Sequence, residues 1–250
     1  MSASPTARRI RAAVTRLMVL GMTAVLCAAV VASCGNREAE KEGGLPMLAL
    51  GDSIFAWHRK TGQSIPDVVA VRLNRPVFNA SVGGAFLSHP NLVLRASDQD
   101  IRTQYAGGTW DWILFEGGAN DLAAECRCED CAAVLDGLID AKARDGDIPR
   151  FLSRLTQMGS RVMIVGYYHP GRSGRSFFKA CTDELAALNE RLARLAQRDR
   201  RLFFVSAADM VSPDDPADYS GDMIHPSVRA SLRVGHHVAQ AINAAGGRGR

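Results

Sequence analysis

The chain has no internal repeat, no low-complexity tract and, beyond its first 33 residues, no excess of charge of either sign. The first two absences exclude repeat and fibrous architectures. Of the 30 basic and 26 acidic residues, four arginines and no acid fall within residues 1–33, so the remainder balances at 26 of each. Because nucleic-acid-binding domains normally carry a basic excess, a nucleic-acid partner is not expected.

Residues 1–33 have the layout of a secretory signal peptide. Arginines extend to Arg16, an uncharged apolar run follows over Leu17–Val31, and small residues come after it. The run of 15 residues is shorter than the roughly 20 that a membrane-spanning helix needs, although residues 32–35 could extend it. The leader therefore predicts export with cleavage, and an uncleaved membrane anchor is the alternative.

The junction Val31-Ala32-Ser33-Cys34 resembles the lipobox of bacterial lipoproteins. That resemblance implies lipidation of Cys34 and a membrane anchor at the mature N-terminus, since each buried methylene of an acyl chain contributes about 0.8 kcal/mol. Residues 34–44 are polar and glycine-ended and predict a flexible tether. We expect a lipoprotein of the cell envelope that faces the periplasm or the exterior; ordinary cleavage would instead give a soluble exported protein.

Four cysteines lie beyond the leader and the tether, in the domain itself, at positions 126, 128, 131 and 181. An even number of cysteines in an oxidising compartment favours two disulfides, and the sequence does not choose between the three possible pairings. A zinc site that uses the Cys126 to Cys131 cluster is an alternative, although the usual pair of separated CxxC knuckles is absent. Free or redox-active thiols are a third possibility.

Apolar runs alternate with amphipathic stretches from residue 45 onward, which predicts one domain over residues 45–245 and a disordered tail over 246–250. Continuous apolar strands between helices imply a parallel sheet with helices on both faces, and the site of such a sheet lies beyond the carboxyl ends of its strands. The predicted strands are Pro46–Leu50, Pro76–Asn79, Asp111–Glu116, Arg161–Gly166 and Leu202–Val205, and the predicted helices are Ile65–Leu73, Ile148–Met158, Cys181–Arg198 and one from the N-cap Ser227 to Ala244.

The residues for a serine hydrolase centre stand at opposite ends of this domain. Ser53 follows the first predicted strand in Gly51-Asp52-Ser53, and Asp222 precedes His225 by three positions. A serine hydroxyl is a poor nucleophile until an imidazole takes its proton, and the imidazole needs a carboxylate to fix its tautomer. We therefore predict Ser53 as nucleophile, His225 as general base and Asp222 as its orienting partner. A helix cap is the alternative role for Ser53, and a surface pair is the alternative for the other two.

Hydrolysis of an ester also requires hydrogen-bond donors aimed at the oxyanion. The predicted donors are the backbone N–H groups of Ser53 and Gly84 and the side-chain amide of Asn120. Gly83 is an alternative to Gly84 in the same loop. Tyr167, Tyr168 and His169 follow the fourth strand and are candidates to line the pocket, although core packing or solvent exposure is the favoured role.

Four motifs in this order resemble the SGNH hydrolases, also called the GDSL lipase/esterase family: Gly51-Asp52-Ser53, the loop Asn79–Gly84, Gly118-Ala119-Asn120-Asp121, and Asp222-Met223-Ile224-His225-Pro226. The resemblance implies a flavodoxin-like α/β/α sandwich of three layers with a parallel sheet of about five strands. It also implies ester hydrolysis without a metal or cofactor, through the same residues. The chain departs from the family at Ile54–Trp57, at Gly83, and in the cysteine insertion after Asp121.

The resemblance leaves the substrate open among lipid, thioester, aryl and acetylated carbohydrate esters, because a fold does not determine it. Two other functional classes also remain. One is a catalytically idle envelope lipoprotein that binds a glycan or protein partner through the same cleft. The other is a metal or redox module around Cys126–Cys131.

Overall fold

Five short strands form the centre of the protein in the computed structural model, which describes residues 46–88, 99–174 and 176–246. The strands are β1 (Met47–Leu50), β2 (Val77–Asn79), β3 (Trp112–Phe115), β4 (Arg161–Gly166) and β5 (Leu202–Ser206). Each lies within one residue of a predicted strand at either end. The predictions for the signal peptide, Cys34 and the tether concern residues outside those described.

The strands form one parallel sheet in the order β2-β1-β3-β4-β5. Ala49 in the central part of the sheet pairs with Asn79 on one side and Leu114 on the other. All residues of β1 and β3 are buried, as expected of strands covered on both faces. This strand order is that of flavodoxin-like folds, which confirms the predicted fold class.

The helices connect successive strands and cover the sheet. They are α1 (Ser53–Ala56), α2 (Ile65–Leu73), α3 (Ala119–Asp121), α4 (Ala132–Leu138), α5 (Asp147–Gln157), α6 (Thr182–Ala196) and α7 (Val228–Gly246). Short 3-10 helices occupy Arg59–Thr61, Ile101–Gln104, Phe177–Cys181 and Pro216–Asp218, and a π-helical turn spans Leu122–Cys126. The predicted tail begins one residue too early, because α7 includes Gly246, and residues 247–250 lie outside those described.

Local sequence signals account for the ends of the longer helices. A capping box between Ser64 and Asp67 starts α2, and Asn74 ends it in the left-handed conformation. The Ser227 hydroxyl accepts a hydrogen bond from the Ala230 N–H (3.2 Å), which confirms the predicted cap of α7. The predicted helix over Cys181–Arg198 is divided: the chain forms a 3-10 turn up to Cys181 before α6 begins.

Close packing between α2 and α7 holds the N-terminal half of the domain against its last helix. A Cβ atom at Gly235 would lie 2.6 Å from the Cβ of Val68, so only glycine permits this approach. On α6, the leucines at 185, 188, 192 and 195 are buried, as their three- and four-residue spacing predicts.

Two disulfides join the four cysteines, Cys126 to Cys131 and Cys128 to Cys181. All four sulfur atoms are therefore engaged, so none of the cysteines in the described part of the chain remains to bind zinc or to act as a free thiol. Cys128–Cys181 joins the segment after β3 to the segment after β4. Within the three described ranges, no helix is long and apolar enough to span a bilayer.

Candidate active site

Ser53 lies at the carboxyl end of β1, where it is the first residue of α1. The carboxylate of Asp52 caps this helix by accepting a hydrogen bond from the Ile54 N–H (2.9 Å), so the capping role belongs to Asp52 and not to Ser53. The side chain of Gln104 bonds both the N–H and the C=O of Gly51, each at 2.9 Å. The turn that presents Ser53 is thus fixed on both sides.

Asp222 and His225 form a close pair in the loop before α7. Oδ2 of Asp222 lies 2.5 Å from Nδ1 of His225, while Oδ1 accepts hydrogen bonds from the backbone N–H groups of Ile224 and His225, both at 3.0 Å. Partial burial opposes ionisation of Asp222, but these hydrogen bonds outweigh it and lower the pKa of its carboxyl below the usual value. A carboxylate at Nδ1 places the proton there and leaves Nε2 as the acceptor.

Nε2 of His225 is buried and has no hydrogen-bond partner in the described part of the chain, Ser53 included. A catalytic hydrogen bond between serine and histidine is frequently long in the free enzyme and shortens only when substrate binds. Two contacts place the two residues at the same site. Ile224, which precedes His225 in the chain, lines one pocket with Ser53, and Trp57 contacts both the backbone of Ser53 and the ring of His225.

Trp57 stacks flat on the imidazole of His225, with ring centroids 3.9 Å apart and planes within 6°. Its backbone N–H bonds the C=O of Ser53 (2.8 Å) and its indole N–H donates to the hydroxyl of Ser220 (2.7 Å). An aromatic face next to imidazole restricts the ring's rotation and stabilises its cationic form. Trp57 therefore positions the predicted general base relative to the helix that carries the predicted nucleophile.

Replacing Trp57 with leucine should lower kcat for ester hydrolysis by about two- to tenfold, since aromatic pairs contribute about 0.5–1.5 kcal/mol. KM should change little, because the stack involves the base and not the pocket. Trp57→Phe should recover most of the loss by restoring the ring face. Steady-state kinetics of both variants check this, with Trp110→Leu, which removes a tryptophan packed on Phe78, as control. An effect on KM alone would contradict the assigned role.

The two segments that carry the predicted oxyanion donors, the glycine loop and the start of α3, lie beside Ser53. A Cβ atom at Gly83 would lie 3.9 Å from the Cβ of Ser53, and Gly84 has a φ of +76°, which favours glycine. The side-chain amide of Asn120 donates to the C=O of Ala85 (2.9 Å), and Asn120 lines the same pocket as Ser53. An amide carries two N–H donors, so this bond uses only one of them. Ser53 and Asn120 thus share one pocket, Gly83 lies next to Ser53, and the Asp222–His225 pair adjoins them through Trp57.

The segment after β4 holds the loop that carries Asp222 and His225. The hydroxyl of Tyr168 donates to the C=O of Ile224 (2.9 Å), and the N–H of Gly171 donates to the C=O of Met223 (2.9 Å). In return, the hydroxyl of Tyr219 donates to the C=O of His169 (2.6 Å). These reciprocal bonds fix the position of the predicted base from outside its own loop.

Two buried carboxyl groups lie directly behind Ser53. Asp52 accepts a hydrogen bond from the hydroxyl of Tyr167 (2.8 Å), and its backbone N–H donates to Oε2 of Glu116 (3.2 Å). Burial raises the pKa of both carboxyls, and the nearby charge of Asp52 raises that of Glu116 well above its usual value. Burial and the proximity of Asp52 thus both oppose a negative charge on Glu116 beneath the nucleophile.

Asp121 is a third buried carboxyl, and it anchors the segment that follows the glycine loop. It accepts hydrogen bonds from the backbone N–H groups of Leu87 (3.0 Å) and Ser88 (2.7 Å). Burial, partly offset by these bonds, raises its pKa from 3.8 to about 7. Between those two pH values the native protein binds more protons than the unfolded chain, so this residue lowers stability as pH rises.

In the wild type, the free energy of unfolding should fall between pH 5 and pH 7.5. We expect this fall to be smaller by about 2–4 kcal/mol in Asp121→Asn, since one pKa unit corresponds to about 1.4 kcal/mol. Asp52 and Glu116 contribute in the same direction and should retain their share. Urea unfolding at both pH values measures the difference, and the exposed Asp130→Asn should behave as wild type. An unchanged pH dependence in Asp121→Asn would show that Asp121 is ionised in the native protein.

Sequence reasoning gave too little weight to two aromatic residues and missed the part played by a third. Tyr167 and Tyr168 are buried, as core packing requires, and they also line the pocket beside Ser53, the alternative that the sequence did not favour. Their position directly after β4 was the available signal, since parallel sheets bind ligands at that edge. Trp57 was noted only as a departure at the pocket entrance. Among the described residues, no group of three or more His, Cys, Asp or Glu is arranged to hold a metal ion.

Comparison with known proteins agrees with this geometry. A profile of the GDSL-like lipase/acylhydrolase family matches residues 49–231, which include Ser53, Gly84, Asn120, Asp222 and His225. No curated protein sequence matches the chain significantly.

Solved structures share the fold at low sequence identity. A carbohydrate acetylesterase family member from Sinorhizobium meliloti is 17% identical with a TM-score of 0.57, covering 81% of this chain and 99% of that one. A carbohydrate esterase family 2 enzyme with a carbohydrate-binding domain, from Corynascus thermopiles, is 18% identical with a TM-score of 0.53, covering 82% of this chain and 67% of that one. A candidate SGNH hydrolase from Slackia heliotrinireducens is 19% identical with a TM-score of 0.53, covering 79% and 98%. The chain therefore belongs to the GDSL-like lipase/acylhydrolase family and is an ester hydrolase of that type.

Proposed function

We propose that this protein is an exported serine hydrolase that cleaves acyl or acetyl esters through an acyl-enzyme on Ser53. The observation that carries the proposal is the Asp222–His225 pair, whose 2.5 Å contact leaves a buried, unpartnered Nε2 at the site that contains Ser53. A buried acceptor without a partner is costly in a merely structural pair. It is suited to receive the proton of a serine hydroxyl.

The reaction proceeds in two steps. Oγ of Ser53 attacks the ester carbonyl while His225 takes the hydroxyl proton, and the backbone N–H groups of Ser53 and Gly84 with the amide of Asn120 hold the oxyanion. The C–O bond to the alcohol then breaks, and the alcohol leaves with the proton from His225. In the second step a water molecule, activated by His225, attacks the acyl-enzyme and releases the acid and free Ser53.

Export and membrane anchoring form part of the proposal. The arginine-rich start, the apolar run and the lipobox-like junction at Cys34 support a lipidated envelope protein. The two disulfides also support it, because such bonds persist mainly in oxidising compartments. The carbohydrate esterases of similar fold support an acetylated glycan as a substrate, beside small-molecule and lipid esters.

Covalent labelling with a fluorophosphonate tests the proposal directly, since this reagent phosphonylates only an activated serine. We expect stoichiometric labelling of the wild type on the peptide that contains Ser53, no labelling of Ser53→Ala, and full labelling of the exposed-serine control Ser153→Ala. An unlabelled but folded wild type would instead favour the idle lipoprotein that binds a glycan or protein partner through this cleft.

A further inference from the structure

A narrow pocket adjoins Ser53, and its lining is mostly apolar. Its volume is about 30 Å³. Ser53 and Asn120 line it together with Asp52, Ile54, Ala119, Tyr167, Tyr168, Pro170, Phe178, Leu185 and Ile224. Tyr168 and Leu185 are almost completely buried, and the hydroxyl of Tyr168 is already engaged by the C=O of Ile224. The pocket therefore offers a substrate group van der Waals contact and few hydrogen bonds.

We infer that this pocket holds the acyl group of the ester and restricts that group to about the size of acetyl. The inference rests on the proposed function, because it assigns a place to one substituent of the tetrahedral intermediate formed on Ser53. Three substituents need places around that carbon: the oxyanion, the departing alcohol and the acyl chain.

The positions of His225 and the oxyanion donors decide which substituent enters the pocket. The alcohol oxygen has to lie next to Nε2 of His225 to receive its proton, and His225 does not line the pocket. The oxyanion has to face the N–H donors of Ser53 and Asn120, which are only two of the eleven lining residues. Deeper in the pocket the mostly apolar lining would leave its charge unsolvated. The acyl chain is the one substituent that gains from apolar surroundings, and it is the substituent that remains.

The size of the pocket limits the chain length. A cavity that binds benzene has a volume of about 150 Å³, about five times that of this pocket. A longer acyl chain would have to displace the residues that line the pocket, and packing and hydrogen bonds hold those residues in place. Tyr168 packs against Tyr219 and bonds the loop of the predicted base. A methyl group fits such a pocket, whereas a chain of eight carbons does not.

Phe178 forms one wall of the pocket and lies in a segment that a disulfide holds. It belongs to the 3-10 helix Phe177–Cys181, which ends at the cysteine that is joined to Cys128. The disulfide ties this helix to the insertion that follows Asp121. Phe177 in the same helix is 64% exposed and does not line the pocket, so it provides a matched control.

The test is a series of p-nitrophenyl esters with two, four and eight acyl carbons. For the wild type we expect kcat/KM to fall about 100-fold or more from acetate to octanoate, because a fixed pocket that discriminates by single methylenes can exclude six of them. Phe178→Ala should raise the octanoate-to-acetate ratio about tenfold or more, and Leu185→Ala should shift it in the same direction. Phe177→Ala should leave the ratio within about twofold of wild type.

The outcomes separate this inference from the proposed function. Ser53-dependent hydrolysis that is equally fast on acetate and octanoate would overturn the acyl-size limit and leave the hydrolase intact. An acetate-selective wild type whose ratio is unchanged in both folded pocket variants, Phe178→Ala and Leu185→Ala, would show that the acyl group binds elsewhere. Absence of Ser53-dependent hydrolysis of every ester would overturn the proposed function and the inference with it.

Discussion

Ser53→Ala should lower kcat for ester hydrolysis about a million-fold, to the level that binding and the oxyanion donors alone sustain. Alanine removes only the Oγ atom, which is the proposed nucleophile that forms the acyl-enzyme. The fold should persist, because the cap of α1 is the carboxylate of Asp52 and the turn is fixed by Gln104. KM for a short ester should change far less than kcat.

Active-site titration and single-turnover kinetics give the measurement, and the exposed Ser153→Ala is the control. Wild-type kinetics should show a burst of alcohol release equal to the enzyme concentration whenever deacylation is the slower step. Hydrolysis at more than about a thousandth of the wild-type rate in Ser53→Ala would mean that another group is the nucleophile.

Asp222→Asn should lower kcat about 10,000-fold with little change in KM. In the structure, Asp222 accepts three hydrogen bonds: one from Nδ1 of His225 and two from the backbone of its own loop. An asparagine amide can turn its oxygen toward the two backbone donors, which presents its N–H₂ group to Nδ1. The imidazole then carries its proton on Nε2, where it cannot accept one from Ser53.

The loss should be one of chemistry rather than of structure. Asparagine preserves the shape of the side chain, so the midpoint of thermal unfolding should move little, and fluorophosphonate labelling should slow in proportion to kcat. Asp209→Asn, an exposed carboxylate outside the site, should match the wild type in every measurement. If Asp222→Asn retained a tenth or more of the wild-type kcat, the pair with His225 would be structural.

Much of the fold could be predicted from the sequence because its strands are short, apolar and bounded by glycine or polar residues. Met47–Leu50 and Trp112–Phe115 are buried on both faces, and that condition produces an unbroken apolar run. The helix Ala132–Leu138 was not predicted. Its seven residues make less than two full turns, which is too short for a helical pattern of apolar residues to be recognised.

The site could be predicted in part because its motif residues each follow a strand or precede the last helix. The contacts that could not be predicted are those between loops that are distant in the sequence. The stack of Trp57 on His225 joins residues far apart in the chain, and no local pattern indicates it. No local pattern indicates the contact between the buried residues Asp52 and Glu116 either, or the pairing of Cys128 with Cys181.

The fit of Met223 against two glycines constrains how this enzyme can be recombined with its relatives. Met223 has a positive φ of 60°, and its side chain occupies the space that a Cβ at Gly171 or Gly174 would need. The segment that contains Gly171 and Gly174 and the loop that contains Met223 are therefore complementary in shape. A chimera that imports the histidine loop from a homologue should work only when residues 167–174 travel with it, because either half alone meets a surface shaped for its original neighbour.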